Sequence, residues 1–179
     1  NRVDALTMMT AASASRVNRR AASRSRVRMA SVCPEPKRFT WAIAPSTIQR
    51  GLLWAGTNDG KLWLTRTANL PKATWIDVTK NVTGLPEWST IAQIAPSVFD
   101  AGTAYIAVNK HLMDDRKAYL FKTIDFGVTW KSITGNIPSG HPLDYVMSIA
   151  ENPNKKGMLF AGTGHAFYYS LNDGQTWTK

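Results

Sequence analysis

Cysteine is nearly absent from this 179-residue chain, which contains only Cys33. One cysteine excludes an intrachain disulfide, and it also excludes a cysteine cluster for zinc, which usually takes four closely spaced Cys or His ligands. Long apolar runs are missing too, since no segment approaches the roughly 20 residues of a membrane-spanning helix. Neither end shows the pattern of a signal peptide. The sequence predicts no bound metal and no cofactor.

Acidic residues are outnumbered by basic ones, and the excess of basic residues is concentrated in one part of the chain. The sequence has 12 Asp and Glu against 22 Lys and Arg, a net charge of +10. Residues 1–38 hold nine basic and two acidic residues (+7), whereas residues 39–179 hold thirteen and ten (+3). Because the larger part is almost balanced, its composition does not favour a nucleic-acid partner.

The basic segment 1–38 is rich in Arg, Ala and Ser and sustains no hydrophobic period. We expect it to be disordered, or not native to the fold. Four interpretations stay open: a solvated basic tail, a targeting segment, a phosphate-binding arm, or translation in the wrong reading frame. The segment has no aromatic residue to stack on bases, which disfavours binding of single-stranded nucleic acid.

From Phe39 onward, short β-branched and aromatic runs alternate with Gly, Pro, Asn and Asp, a pattern typical of an all-β protein. These runs repeat with a period of about fifty residues. The copies begin at Trp41, Ile91 and Val146, and each predicts four strands, the last opening with Thr-Trp. Four antiparallel strands per repeat are typical of a β-propeller blade, so we predict three blades, at 39–89, 90–144 and 145–179.

Two octets in equivalent places carry a family resemblance. They read T-I-D-F-G-V-T-W and S-L-N-D-G-Q-T-W, and both resemble the Asp-box of BNR-repeat propellers, a hairpin turn between the third and fourth strands of a blade. In such a turn the Asp or Asn accepts backbone N–H groups, Gly supplies a positive φ, and Trp packs beneath. The residues that match are Thr123, Asp125, Gly127, Thr129, Trp130, Ser170, Asn172, Asp173, Gly174, Thr176 and Trp177. The first unit instead reads T-R-T-A-N-L-P-K-A-T-W and lacks the acidic residue.

The amino-acid sequence of the repeats is most similar to that of sortilin-type or "glycosyl hydrolase, BNR repeat" propellers of exported bacterial proteins. That resemblance implies a periplasmic or extracellular location. A closed propeller needs at least four blades. We therefore expect this chain to be a fragment whose partners include further blades from the missing part of the protein.

Propeller topology places the octets and the turns between the first and second strands on one face. The connections between the second and third strands and the links from blade to blade lie on the other, which we call the loop face. It comprises 58–60, 82–89, 109–117, 139–144 and 163–165. Binding residues are disproportionately found on loops held by a rigid scaffold. The candidate ligand-binding residues of this face are Glu87, Trp88, His111, Asp114, Asp115, Arg116, His141 and His165.

A glycosidase needs two carboxylates facing each other across the substrate, and a sialidase-like site also needs several arginines for the substrate carboxylate. Nothing in the sequence marks such a pair, and Arg116 is the only arginine in these loops. No catalytic residue is assigned. The sequence favours a non-catalytic segment that binds a protein, peptide or glycan, and the alternative is a fragment of a sialidase-like or xyloglucanase-like glycoside hydrolase.

Overall fold

A computed structural model describes residues 39–179, and the predictions for residues 1–38 lie outside it. The described chain forms three antiparallel sheets. The first contains β1 (Thr40–Pro45), β2 (Leu53–Thr57), β3 (Leu62–Thr65) and β4 (Trp75–Asp77), and the second contains β5 (Thr90–Pro96), β6 (Ala104–Lys110), β7 (Asp115–Thr123) and β8 (Lys131–Ser132). The third contains β9 (Val146–Glu151), β10 (Leu159–Thr163) and β11 (Phe167–Ser170).

The fourth strands are shorter than the sequence predicts. β8 has two residues, and in the third sheet the fourth strand, predicted to open with Thr176-Trp177, is only a single bridge between Tyr169 and Thr178. Two 3-10 helices, Thr79–Asn81 and His111–Met113, interrupt the connections. Within residues 39–179, no helix is both long and apolar enough to cross a membrane.

The sheets stack face against face in chain order. β1 packs beside β5, and β5 packs beside β9, so the first strands of the three sheets are neighbours. One apolar core lies between the first and second sheets, where Trp54 meets Trp130 edge to face with ring centroids 5.9 Å apart. A second core, which includes Leu120 and Ile149, lies between the second and third sheets. Each core buries alternate residues of its strands, as the period-2 pattern requires.

Both octets form the hairpin turns that the sequence predicts. Thr129 N donates to Asp125 Oδ1 at 2.8 Å, and Thr176 N donates to Asn172 Oδ1 at 3.0 Å. Gly127, with φ of 81°, occupies the left-handed region that the turn demands. Each turn follows the third strand of its sheet.

Hydrogen bonds within the first octet turn stabilise the ionised form of Asp125. Burial alone would raise its pKa, but hydrogen bonds from the side chain and backbone of Thr129 and from Thr123 lower the pKa below the usual value. These bonds include Thr129 Oγ1 to Asp125 Oδ2 at 2.6 Å and Thr123 Oγ1 to Asp125 Oδ1 at 2.8 Å. In the second octet, Ser170 Oγ and Thr176 N donate to Asn172 Oδ1 in the same way. The remaining bond is reversed, because Asn172 Nδ2 donates to Thr176 Oγ1.

A second repeated segment follows the fourth strands and links neighbouring sheets. Thr79 and Thr134 correspond, and their hydroxyls accept the backbone N–H groups of Leu62 and Leu120 at 2.9 and 3.0 Å. Two residues later, an asparagine reaches the next sheet. Asn81 Nδ2 donates to Gly127 O at 2.8 Å, and Asn136 bonds to the backbone of Trp177.

The outer face of each end sheet is apolar and exposed. In the first sheet, Ile43, Ala55 and Trp63 lie in register on this face. Ala55 itself is buried, but Ile43 is 53% exposed and neighbouring Trp41 is 62% exposed. In the third sheet, the rings of Phe160 and Phe167 stack on the outer face with centroids 5.7 Å apart. An apolar sheet face of this kind is normally covered by another layer.

Candidate functional site

Three connections of the loop face converge where the second and third sheets meet: the tip of β6–β7, the link 133–145, and the turn between β10 and β11. Arg116 Nη1 donates to Pro142 O at 3.3 Å and so joins the first connection to the second. The ring of His111 stacks on Tyr145, with centroids 4.3 Å apart and 13° between the planes. The topology of the sheets explains this meeting, since the two turns and the link all lie beyond the same strand ends.

The structure thus brings six of the eight candidate residues into one region. They are His111, Asp114, Asp115, Arg116, His141 and His165, and two adjoining cavities that share Gly140 and His141 run through this region. Glu87 and Trp88 lie elsewhere on the loop face. They line a separate cavity of about 480 Å³ with Lys61 and Lys80.

The two aspartates at the β6–β7 tip are engaged by their own loop. Asp114 adopts a left-handed φ of 60° and pairs with Arg116, with 3.2 Å between Oδ1 and Nε. Its side chain is 89% exposed. Asp115 Oδ2 accepts the hydroxyl of Tyr119 at 2.7 Å. Burial, followed by this hydrogen bond and the charge of Asp115, raises the pKa of Tyr119 to about 12.

Large apolar side chains stand exposed beside these polar groups. Leu112, in the 3-10 helix at the tip, is 83% exposed, and Met113 and Leu143 are exposed nearby. The sequence assigns all three residues to loop-face connections, but an apolar loop residue can equally well pack onto the core, so it carries no binding signal of its own. They give the loop face a mixed apolar and charged surface.

One important residue that the candidate set omits is Asp144. It is 2% exposed, and its Oδ2 accepts the backbone N–H of His141 at 2.6 Å. Its Oδ1 lies 3.8 Å from Nε2 of His165. The rings of His141 and His165 lie with centroids 4.4 Å apart, so the carboxylate sits beside both histidines. The sequence signal was the spacing H-P-L-D, in which an aspartate can cap the turn begun by the histidine.

This trio borders an open cavity of about 560 Å³, which is also lined by Tyr168 and Trp177. The cavity lies between the link 133–145 and the outer part of the third sheet. Its walls combine aromatic rings with a carboxylate and two imidazoles. Such a mixture of apolar walls and a few polar groups is common in ligand pockets.

Comparison with solved structures decides the architecture. The sheets are β-propeller blades. The chain matches the GH74 xyloglucanase from Xanthomonas campestris (TM-score 0.57, 20% identity) over 79% of this chain and 20% of that one. It matches the GH74 enzyme of Niastella koreensis (0.56, 22% identity) over 78% and 21%. YCF48 from Cyanidioschyzon merolae matches at 0.56 and 14% identity over 81% and 38%.

A structure of YCF48 bound to D1 peptide also matches, with a TM-score of 0.56 and 16% identity over 79% of this chain and 43% of that one. The blades described here therefore span about a fifth of the GH74 chains and about two fifths of the YCF48 chains. Identities this low identify the fold alone. No protein-family model matches the sequence, and the search of curated proteins returned no significant match.

Proposed function

We propose that this chain is a non-catalytic segment of a β-propeller that binds a peptide or a protein through its loop face. The observation that carries the proposal is the convergence of three connections at one place, with Leu112 and Met113 exposed beside Arg116. Exposed apolar side chains rimmed by charged groups are typical of protein-binding surfaces. The same fold binds a peptide in the YCF48 complex, which supports a peptide ligand.

The geometry of the carboxylates argues against catalysis. A glycosidase acid and its partner carboxylate face each other across an enclosed substrate. Asp114 is instead exposed at a loop tip and paired with Arg116, while Asp115 is hydrogen-bonded to Tyr119. Glu87 lines a different cavity from both.

A peptide-display experiment tests the binding surface directly. A random peptide library is selected on the full 179-residue chain, and the affinity of the selected peptides is measured by fluorescence anisotropy. We expect Leu112→Ser with Met113→Ser to weaken binding roughly tenfold or more, because this change removes apolar surface that a bound peptide would bury. Leu171→Ser is the matched control, since Leu171 is an exposed leucine in the octet turn of the opposite face. The proposal would be refuted if Leu171→Ser weakened binding as much as the double change. It would also be refuted if the selected peptides bound the Leu112→Ser, Met113→Ser variant as tightly as the parent.

The alternative, a segment of a glycoside hydrolase, is favoured by the shared fold with the two GH74 enzymes. Assaying the chain on chromogenic glycosides and on xyloglucan discriminates the two functions. Hydrolysis that is lost in Glu87→Ala, Asp114→Ala or Asp115→Ala would replace the binding proposal with the enzymatic one.

We further propose that the chain is of the BNR type, that it is exported, and that additional blades complete it. The hydrogen bonding of the two octets supports the first point, and the exposed apolar faces that carry Trp41 and Phe167 support the last. Export rests on the family resemblance and is tested by fractionating cells that express the complete gene. Recovery of the protein in the cytoplasm alone would contradict it.

A further inference from the structure

Asp144 is a buried carboxylate whose orientation is fixed. The hydrogen bond from His141 N holds Oδ2 at 2.6 Å and leaves Oδ1 directed at His165 Nε2. Their separation of 3.8 Å is too long for a hydrogen bond. A buried carboxylate is costly unless a cation or hydrogen-bond donors compensate its charge, so this arrangement suits a positive ion.

His165 is oriented as a ligand. Its Nδ1 lies 3.1 Å from the backbone oxygen of Leu143. A carbonyl oxygen only accepts hydrogen bonds, so Nδ1 carries a proton, and in the neutral ring the lone pair of Nε2 faces Asp144. Metal-binding histidines are held in the same way, with the second ring nitrogen donating to a carbonyl or carboxylate.

His141 is the adjustable member of the trio. Its Nδ1 accepts the backbone N–H of Leu143 at 3.1 Å, but this bond and the ring are exposed. Freeing the ring costs one exposed hydrogen bond, which contributes little net stability because water replaces it. That cost is small beside the free energy of coordinating a divalent ion at a protein site.

The distances match the size of a divalent transition metal. One ligand atom from each of the three residues lies within 4.8 Å of the others. Zinc sits about 2.0–2.2 Å from nitrogen and oxygen ligands, so neighbouring ligand atoms of a tetrahedral site are about 3.3–3.6 Å apart. The distance of 3.8 Å between Oδ1 and Nε2 is close to this spacing, and a small rotation of the exposed His141 ring brings in the third ligand.

We propose that His141, Asp144 and His165 bind a divalent transition-metal ion of the zinc class, contrary to the sequence-based expectation of no metal. Two imidazoles and a carboxylate are ligands that zinc accepts. The fourth position opens into the cavity beside Tyr168 and Trp177, where a carboxylate or carbonyl of a ligand can enter. The ion would also tie the link 133–145 to the β10–β11 turn. This site does not depend on the proposed peptide binding.

Metal titration of the full chain tests the site. All proteins carry Cys33→Ser, because a free thiol is itself a zinc ligand. Cobalt(II) is followed by its visible absorption, and zinc by competition with a chromogenic chelator. We expect one ion per chain, and we expect His141→Ala and His165→Ala each to weaken binding roughly tenfold or more, since each removes a ligand. Zinc should also raise the unfolding temperature of the parent but not of these variants.

His111→Ala is the matched control, because His111 is a histidine of the same face that stacks on Tyr145 outside the trio. It should bind metal as the parent does. Asp144→Asn removes the charge but also alters the turn, so its binding counts only if its thermal unfolding remains cooperative. Otherwise the two histidine variants decide. Metal affinity that is unchanged in His165→Ala, or reduced equally in His111→Ala, would overturn the site.

Discussion

Asn136 holds the backbone of Trp177 with both ends of its amide, accepting from Trp177 N at 2.7 Å and donating to Trp177 O at 3.0 Å. This pair of bonds ties the second blade to the segment of the third blade that forms the bridge with Tyr169. We expect Asn136→Ala to lower the free energy of unfolding by about 1–3 kcal/mol, because it leaves two partly buried backbone groups without their partner. Urea denaturation followed by tryptophan fluorescence measures the change. Asn154→Ala is the control, since Asn154 is exposed at a turn. If the two variants unfold alike, the link is energetically unimportant.

Asp125→Asn replaces the carboxylate of the first octet by the neutral amide that Asn172 provides in the second. Its Oδ1 should still accept the N–H of Thr129, as Asn172 does for Thr176, so we expect little loss of stability at neutral pH. The acid response should change. Because the folded-state pKa of Asp125 is lowered, its charge stabilises the fold above the unfolded-state pKa of about 3.9, and this contribution is lost as pH falls below that value.

Thermal unfolding of parent and Asp125→Asn, measured between neutral pH and about pH 3, checks this difference. The parent should lose more stability on acidification than the variant. Asp125→Ala should cost about 1–2 kcal/mol at neutral pH, because it removes the side-chain acceptor of the turn. Parallel acid profiles of the parent and Asp125→Asn would contradict the role assigned to the charge.

Replacing two tryptophans of the first blade should change the free energy of unfolding by very different amounts. Trp54 is fully buried against Trp130, and Trp54→Ala should cost about 3–5 kcal/mol through the cavity it creates. Trp41 lies on the exposed outer face, so Trp41→Ser with Ile43→Ser should change stability by only about 0.5 kcal/mol. The same double change should reduce self-association in sedimentation experiments, because it removes an apolar patch. Strong destabilisation by Trp41→Ser would mean that this face is covered within the chain.

Tyrosine ionisation should be delayed in the folded protein. Burial, and then the charges of Glu151 and Asp173, raise the pKa of Tyr105 far above its usual value, while the pKa of Tyr119 is about 12. Their contribution to stability is complete below the unfolded-state pKa of about 10 and is lost as pH rises through the folded-state values. A spectrophotometric titration should therefore show fewer than five tyrosines ionising before the chain unfolds. Tyr105→Phe should remove one late proton, and five simultaneous ionisations would refute the expectation.

Much of the architecture was predictable from sequence because turns and strands depend mainly on residues that are close together in the chain. The octets predicted hairpins at Thr123 and Ser170, since turn chemistry depends on neighbours within eight residues, and the structure confirms them. The links made by Asn81 and Asn136 were missed, because an asparagine after a strand predicts a turn equally well. Only the assembled sheets show that these side chains reach the next blade.

The candidate site was predictable in part for a similar reason. Topology alone assigned His111, His141 and His165 to one face. It could not show that His141 and His165 would meet, nor that Asp144 would be buried between them, because both facts depend on the path of the link 133–145. A polar residue next to a strand is ordinarily expected to be solvated, so Asp144 gave no sequence signal of burial.

The stacking of blades also determines where the described chain resists opening. The second blade is covered on both faces, whereas the first and third each have one bare face. In a molecule built from nearest-neighbour contacts, opening spreads inward from the ends. The backbone amides of β6, around Ile106 to Val108, should therefore be the last to exchange with solvent. The first and third blades each depend on packing against the second for their stability.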